Sequence, residues 1–128
     1  MGASATDALE EVRAELGDPR DWEGGNARVV WSELQYADGK PVAVNIKKRG
    51  RRYDVDDEAA AVRKALAFGV EEWGAVAEDV VSAHDLNVNR RGVIFVPGVE
   101  GGVDLAWLAF RVARCSYAVH AELLDTLD

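Results

Sequence analysis

The chain contains little sulfur and little proline: one cysteine, one methionine and three prolines among 128 residues. A single cysteine excludes an intramolecular disulfide framework and fits a reducing compartment. No apolar run reaches eighteen residues, so we expect no membrane-spanning helix and no membrane association. The opening residues, MGASATDALE, lack the basic and apolar parts of a secretion signal. These features together favour a cytoplasmic protein.

Positive charge is also scarce, and it is concentrated in one place. The chain has 15 Lys and Arg against 23 Asp and Glu, a net charge of −8. Six of the basic residues lie between Lys40 and Arg52, where there is no acidic residue, so this segment has a charge of +6 and the rest of the chain −14. The acidic balance argues against general binding to nucleic acid or to anionic membranes.

The basic segment itself predicts β structure. Apolar residues alternate with polar or small ones from Val42 to Ile46, which is the period of a strand with one buried face. Turn signals at Asp38-Gly39 and Arg49-Gly50 stand on either side of this strand. We therefore predict a three-stranded antiparallel meander over Ala27–Val55.

The remaining sequence predicts four helices and a second hairpin. Val62, Ala65 and Leu66 are expected to face inward in the second helix, and Pro97 is expected to end the hairpin. The predicted elements are a helix capped by Thr6-Asp7 and ending near Leu16, helices at Glu58–Phe68 and Glu71–His84, a hairpin of Leu86–Asn89 with Val93–Val96, and a helix at Leu105–Leu127 capped by Asp104. The order α-βββ-αα-ββ-α favours a single α+β domain over 1–128, with an antiparallel sheet and helices packed on one face.

Part of the chain resembles a bacterial and phage family that is classified only as a domain of unknown function. The residues that carry the resemblance are Tyr-Asp-Val-Asp-Asp at 53–57, Val62, Leu66, Phe68-Gly69-Val70, and the hairpin Leu86–Val96 followed by the helix from Asp104. The resemblance spans Val42–Leu124, and Glu58 stands where the motif has a glycine. It implies no activity.

The order of the elements is also similar to the secretion-chaperone-like fold. That similarity implies a small, acidic, dimeric and non-enzymatic protein that binds extended segments of a partner. It is an analogy at the level of the fold, which does not by itself establish function.

The acidic cluster at Asp54, Asp56, Asp57 and Glu58 has two interpretations. Its carboxylates could hold Mg²⁺ or Ca²⁺, with Asp54 and Asp56 on one face of a strand. A metal-dependent enzyme acting on phosphates would use these aspartates for the metal and Arg51 or Arg52 to orient the substrate. The favoured interpretation is helix capping, with Asp54 paired to Arg51 or Arg52, so we predict no metal and no cofactor.

The basic turn can be interpreted in three ways. It could be a solvated hairpin tip, a contact for an acidic partner or a second subunit, or a ribbon that contacts nucleic acid. Nucleic acid is the least favoured, because no aromatic residues interleave with these charges and the acidic remainder would repel a polyanion. The residues concerned are Lys47, Lys48, Arg49, Arg51 and Arg52.

Four tryptophans are many for this length, and two of them are expected to be exposed. Trp31 and Trp107 fall opposite the main apolar stripes of their elements, and with Tyr117 they could anchor a partner. Cys115 is expected to be a small buried hydrophobic residue, and His84 a helix-end residue and not a base. Because no convergent catalytic set is recognisable, we predict a non-enzymatic protein-binding or adaptor module that forms a homodimer.

Overall fold

The computed structural model describes residues 5–18, 22 and 26–127. Its elements are α1 (Ala5–Leu16), β1 (Ala27–Gln35), β2 (Pro41–Arg49), β3 (Arg52–Asp56), α2 (Ala60–Ala67), α3 (Gly74–Ala83), β4 (Asn87–Val88), β5 (Ile94–Glu100) and α4 (Leu105–Leu124). The predicted α+β class and the order α-βββ-αα-ββ-α are confirmed.

The strands form one antiparallel sheet in the order β1-β2-β3-β5-β4. The predicted meander is its first half, and the second hairpin joins it through β5. The two edges differ in length, because β1 has nine residues and β4 has two. The longer edge strand therefore presents most of the open backbone of this sheet.

Helix α4 packs on one face of the sheet, and the main core lies between them. Val42, Val44 and Ile46 of β2 are completely buried beneath it. The predicted stripe of α4 is buried as well, at Leu105, Leu108, Val112, Cys115, Val119 and Leu123. Burial of one such aliphatic side chain contributes about 1.5–3 kcal/mol, so this interface dominates the stability. We call the opposite side of the sheet the outer face.

Asp104 caps α4 as predicted and also fastens α1. Its Oδ1 accepts a hydrogen bond of 3.2 Å from the backbone N–H of Trp107. Its Oδ2 accepts from the Arg13 guanidinium of α1, with Nε at 3.1 Å. Helix α1 begins at Ala5, so Thr6 and Asp7 lie within its first turn and do not precede it, and their side chains are outside the described residues.

The second helix begins later than predicted. Glu58 and Ala59 have φ angles of 54° and 64°, in the left-handed region, so the right-handed helix starts only at Ala60. Leu66 was expected to face inward, and this prediction is wrong because the side chain is exposed. The inward face runs through Ala61 and Ala65, and the next residue is rotated by about 100° away from it.

The second hairpin does not end at Pro97, as predicted, because β5 continues to Glu100. Tyr53 pairs with Val99 and Val55 pairs with Val96, so β5 contains one more residue than β3 over this interval. An extra residue of this kind is a β-bulge, where a proline without an N–H is tolerated.

Candidate functional site

Trp31 lies in the middle of the edge strand β1 and points away from α4. It pairs with Ala43, whose neighbours Val42 and Val44 are buried on the helix side. Its side chain is 64% exposed, and that of Val29, in the same row of the strand, is 47% exposed. An exposed apolar pair therefore occupies the outer face of the longer sheet edge.

Trp107 and Tyr117 are exposed too, by 49% and 42%, but they belong to α4. Because α4 packs on the other face, the sheet lies between these two residues and Trp31. The three aromatic residues predicted to bind a partner therefore form two surfaces, one on each side of the sheet.

The basic turn is likewise divided between two faces. Lys47, Arg49 and Arg52 lie on the outer face, whereas Lys48 is in register with buried Tyr53 on the helix side. Arg51 lies at the turn, beside a surface pocket that Lys48 and Tyr53 also line.

Acidic side chains neutralise part of this positive charge. Lys47 Nζ lies 3.6 Å from Glu58 Oε1, and Arg49 Nε lies 2.8 Å from Asp54 Oδ2. The predicted pairing of Asp54 with Arg51 or Arg52 is therefore wrong. Asp54 faces Lys47 in register, which places Arg49 at the diagonal position of the neighbouring strand, within reach of a long side chain. The turn is a mixed-charge ribbon and not a uniformly positive surface.

The acidic cluster separates into side chains with different surroundings. Asp54 and Asp56 share the outer face, as predicted, whereas Asp57 is only 1% exposed and enters the core. Asp56 Oδ1 accepts from the N–H of Glu58 at 2.9 Å. Within the part of the chain that the structure describes, no three His, Cys, Asp or Glu side chains are grouped so that they could hold a metal ion.

Asp57 connects three elements through its carboxylate. Oδ1 accepts from the N–H groups of Ala59 and Ile94, both at 2.9 Å, and Oδ2 accepts from Ser116 Oγ at 2.7 Å and from the N–H of Ala61 at 3.4 Å. Burial raises the pKa of Asp57 above its ordinary value, against the lowering effect of these hydrogen bonds. The capping prediction is met only in part, because Asp57 accepts from the N–H of Ala61 in the first turn of α2, but the residue at the cap position is Ala59, whose side chain makes no such bond.

Asp57 belongs to a buried polar network that the sequence did not indicate. The Tyr36 hydroxyl lies 2.6 Å from Ser116 Oγ, and since Ser116 donates to Asp57, Tyr36 donates to Ser116. His120 Nε2 accepts from the N–H of Ala37 at 3.1 Å, so Nδ1 carries the proton and donates to Ala61 O at 3.1 Å. The only available signal was Ser116 and His120, spaced by four residues on the buried side of α4.

Two other residues lie where the sequence predicted. Cys115 is completely buried, and burial raises the pKa of its thiol to about 12. His84 ends α3, and its carbonyl accepts a hydrogen bond of 3.1 Å from Arg111 Nη2.

A groove of about 200 Å³ opens on the outer face beside Trp31. Pro41 and Ala43 of β2 also line it, together with Arg63 and Lys64 of α2. Two carboxylates, those of Glu58 and of the buried Asp57, line it as well, so apolar side chains and side chains of both charges meet there.

No protein-family model matches the chain, and no curated protein or solved structure matches it either. The resemblance to the family of unknown function stays a prediction. None of the helices in the described ranges has the length and apolar character that crossing a membrane requires.

Proposed function

We propose that the protein is a non-enzymatic protein-binding module that acts as a homodimer through the edge of β1. The observation that carries this proposal is Trp31, which is 64% exposed on a nine-residue edge strand. Exposed tryptophans are frequent anchors of protein interfaces, and open strand edges pair readily with other strands. We call the backbone edge of Ala27–Trp31, with the side chains of Val29 and Trp31, the β1 edge surface.

The polar groups of the core support a structural and not a catalytic use. Asp57 and Ser116 are occupied by the hydrogen bonds that join the start of α2 to β5 and α4. Both ring nitrogens of His120 are occupied by backbone groups. The Cys115 thiol is buried, and its raised pKa keeps it protonated at neutral pH.

The outer row in the first half of β1 favours pairing with another strand, whereas the charged residues of β1 are Arg28, in the row that faces the helices, and Glu33, beyond Trp31. Natural edge strands are commonly protected by charges or prolines. From Ala27 to Trp31 the outer row of β1 carries only Ala27, Val29 and Trp31. The register with β2 is regular over this segment and becomes irregular only between Trp31 and Gln35. The regular part therefore has a uniform, uncharged outer row.

A second copy fits this segment by symmetry. Two antiparallel β1 strands can be related by a two-fold axis at Val29 or at Val30. With the axis at Val30, Trp31 lies directly opposite Val29 of the partner subunit, and with the axis at Val29 the two are diagonal neighbours. Each such aromatic–β-branched pair contributes about 0.2–1 kcal/mol, and it occurs twice.

Light scattering after size exclusion tests the proposal, with two matched tryptophan variants. We expect the wild-type protein at micromolar concentration to have twice the 13.9 kDa mass of the chain. Trp31→Glu places a charge on the β1 edge surface and is expected to give a folded monomer, checked by circular dichroism. Trp107→Glu alters an exposed tryptophan on α4 and is expected to stay dimeric. A wild-type monomer, or a dimer that Trp31→Glu leaves intact, would contradict the proposal.

A further inference from the structure

We infer that the groove beside Trp31 binds an acidic side chain from an extended segment of another protein. The inference rests on the proposed protein-binding function, but it concerns the outer face over β2 and not the β1 edge. We call this site the Trp31 groove, and the residues that carry the argument are Trp31, Lys40, Pro41, Ala43, Asn45 and Arg63.

The shape of the groove suits one side chain and its neighbours. Its volume is about 200 Å³, with the Trp31 indole, Pro41 and Ala43 supplying apolar lining. Asn45, two residues beyond Ala43 on the same face of β2, adds an amide that can donate and accept. Apolar lining with a few polar groups is the usual composition of sites that bind peptide side chains.

The charges around the groove are unevenly compensated. Lys64 is paired with Asp38, and Lys47, on the same face of β2, is paired with Glu58. Lys40 and Arg63 also line the groove, and among the residues that the structure describes neither side chain forms an ion pair.

The two carboxylates of the lining are already engaged, because Glu58 is paired with Lys47 and Asp57 is buried and hydrogen-bonded. Lys40 interacts electrostatically with Asp38. Arg63 therefore contributes a positive charge to the groove that a ligand with one carboxylate can meet, because an arginine and a carboxylate match in geometry.

The surroundings favour a carboxylate on a peptide over a polyanion. Asp54, Asp56 and Glu58 lie along the same outer face or at its end, and the whole chain has a net charge of −8. A nucleic acid following this face would meet those carboxylates. A glutamate flanked by apolar residues would place its charge near Lys40 and Arg63 and its neighbours against Trp31.

Titration with a defined pentapeptide tests the inference. The probe is Val-Val-Glu-Val-Val, acetylated and amidated so that its one charge is the glutamate, and the control peptide is Val-Val-Gln-Val-Val. We expect calorimetry to detect binding of the first peptide with at least tenfold higher affinity than the second. In ¹⁵N spectra the Trp31 indole and the backbone of β2 should shift.

Paired arginine variants locate the site. Arg63→Gln is expected to lower the affinity for the glutamate peptide at least tenfold. Arg114→Gln, which changes an exposed arginine on α4, should leave the affinity unchanged. Equal binding of both peptides, no binding of the glutamate peptide, or equal effects of the two variants would overturn the inference. Inorganic phosphate competing through Arg63 as strongly as the peptide would also overturn it, since the groove would then be a general anion site.

The peptide titration and the test of the homodimer can fail independently of each other. A monomeric protein that binds the glutamate peptide through Arg63 would reject the homodimer and retain the groove. A dimer that dissociates with Trp31→Glu but ignores the peptide would retain the β1 edge surface and reject the groove.

Discussion

At the scale of single residues, Gly39 and Gly92 form a natural comparison. Their φ angles are nearly equal, at 82° and 84°, in the region that favours glycine. A Cβ on Gly39 would have no atom within 4 Å, whereas a Cβ on Gly92 would lie 2.9 Å from Val62 Cβ. The two positions therefore share their backbone strain and differ in the space available.

Replacing each glycine by alanine separates these two effects. We expect Gly39→Ala to lower the free energy of unfolding by about 1 kcal/mol, from strain alone. Gly92→Ala should cost about 2–4 kcal/mol, because overpacking against Val62 is added to the strain. Urea denaturation of both variants measures the difference. Equal losses would show that α2 and the β4–β5 turn are not packed as described.

The backbone conformation at Glu58 could not be predicted from the sequence. The backbone at Glu58 has φ 54°, a conformation that glycine adopts most easily. The sequence itself gave no sign of it, since a glutamate after two aspartates is typical of a helix start. This turn is held by local hydrogen bonds from the N–H groups of Glu58 and Ala59 to the carboxylates of Asp56 and Asp57, and Asp57 is fixed in turn by Ile94 and Ser116, which are distant in sequence.

At the scale of elements, the pH dependence of stability tests the buried network. The pKa of Asp57 is raised chiefly by burial, whereas the pKa of Asp104 is lowered chiefly by its hydrogen bond from Arg13. A carboxyl group whose pKa is raised on folding stabilises the folded state at pH values below its ordinary pKa of 3.8. This stabilisation is lost as the pH rises through the pKa that the group has in the folded state. A carboxyl group whose pKa is lowered on folding stabilises the folded state at pH values above its ordinary pKa. This stabilisation is lost as the pH falls through the pKa of the folded state.

For two asparagine variants, the difference in free energy of unfolding from wild type should therefore change with pH in opposite directions. Asp57→Asn is expected to lower the free energy of unfolding by about 1–3 kcal/mol, because an NH₂ group replaces one of the two carboxylate oxygens and the buried donors that met this oxygen lose their acceptor. Its difference from wild type should shrink as the pH rises from about 3 toward neutrality. The difference between wild type and Asp104→Asn should grow over the same range. Denaturant titrations at several pH values provide the measurement, and parallel profiles would contradict the assignment of the two sites.

Periodicity in the sequence predicted the elements whose burial follows from their own residues. The apolar residues that alternate from Val42 to Ile46 are buried as expected, and so is the apolar stripe of α4. Features that depend on the pairing of distant strands were not predictable. The bulge at Pro97 and the pairing of Arg49 with Asp54 both follow from strand register, which no local pattern specifies.

The candidate site, like the fold, was predictable from the sequence only in part. The exposure of Trp31 and Trp107 followed from their positions opposite the apolar stripes, and both are exposed. Their separation by the sheet did not follow, because it requires knowing on which face α4 packs. The Trp31 groove was also missed, since Arg63 reaches it from a helix that is distant from β1 in sequence.

At the scale of the whole molecule, the net charge opposes dimer formation, whereas the proposed contact through β1 favours it. Each chain has a net charge of −8, so two copies repel one another. The outer row of the proposed contact, formed by Ala27, Val29 and Trp31, carries no charge, and Arg28 of the same segment lies in the row that faces the helices. Salt screens the repulsion and leaves the apolar contact in place, because the screening length falls from about 30 Å at 0.01 M to about 3 Å at 1 M salt.

Sedimentation equilibrium of the wild-type protein over a series of salt concentrations measures this balance directly. We predict a monomer–dimer equilibrium whose dissociation constant falls as salt is raised from about 0.01 M to 1 M, through the range over which screening becomes effective. A protein that stays monomeric throughout, or a dimer that dissociates as salt is added, would contradict self-association through the β1 edge surface.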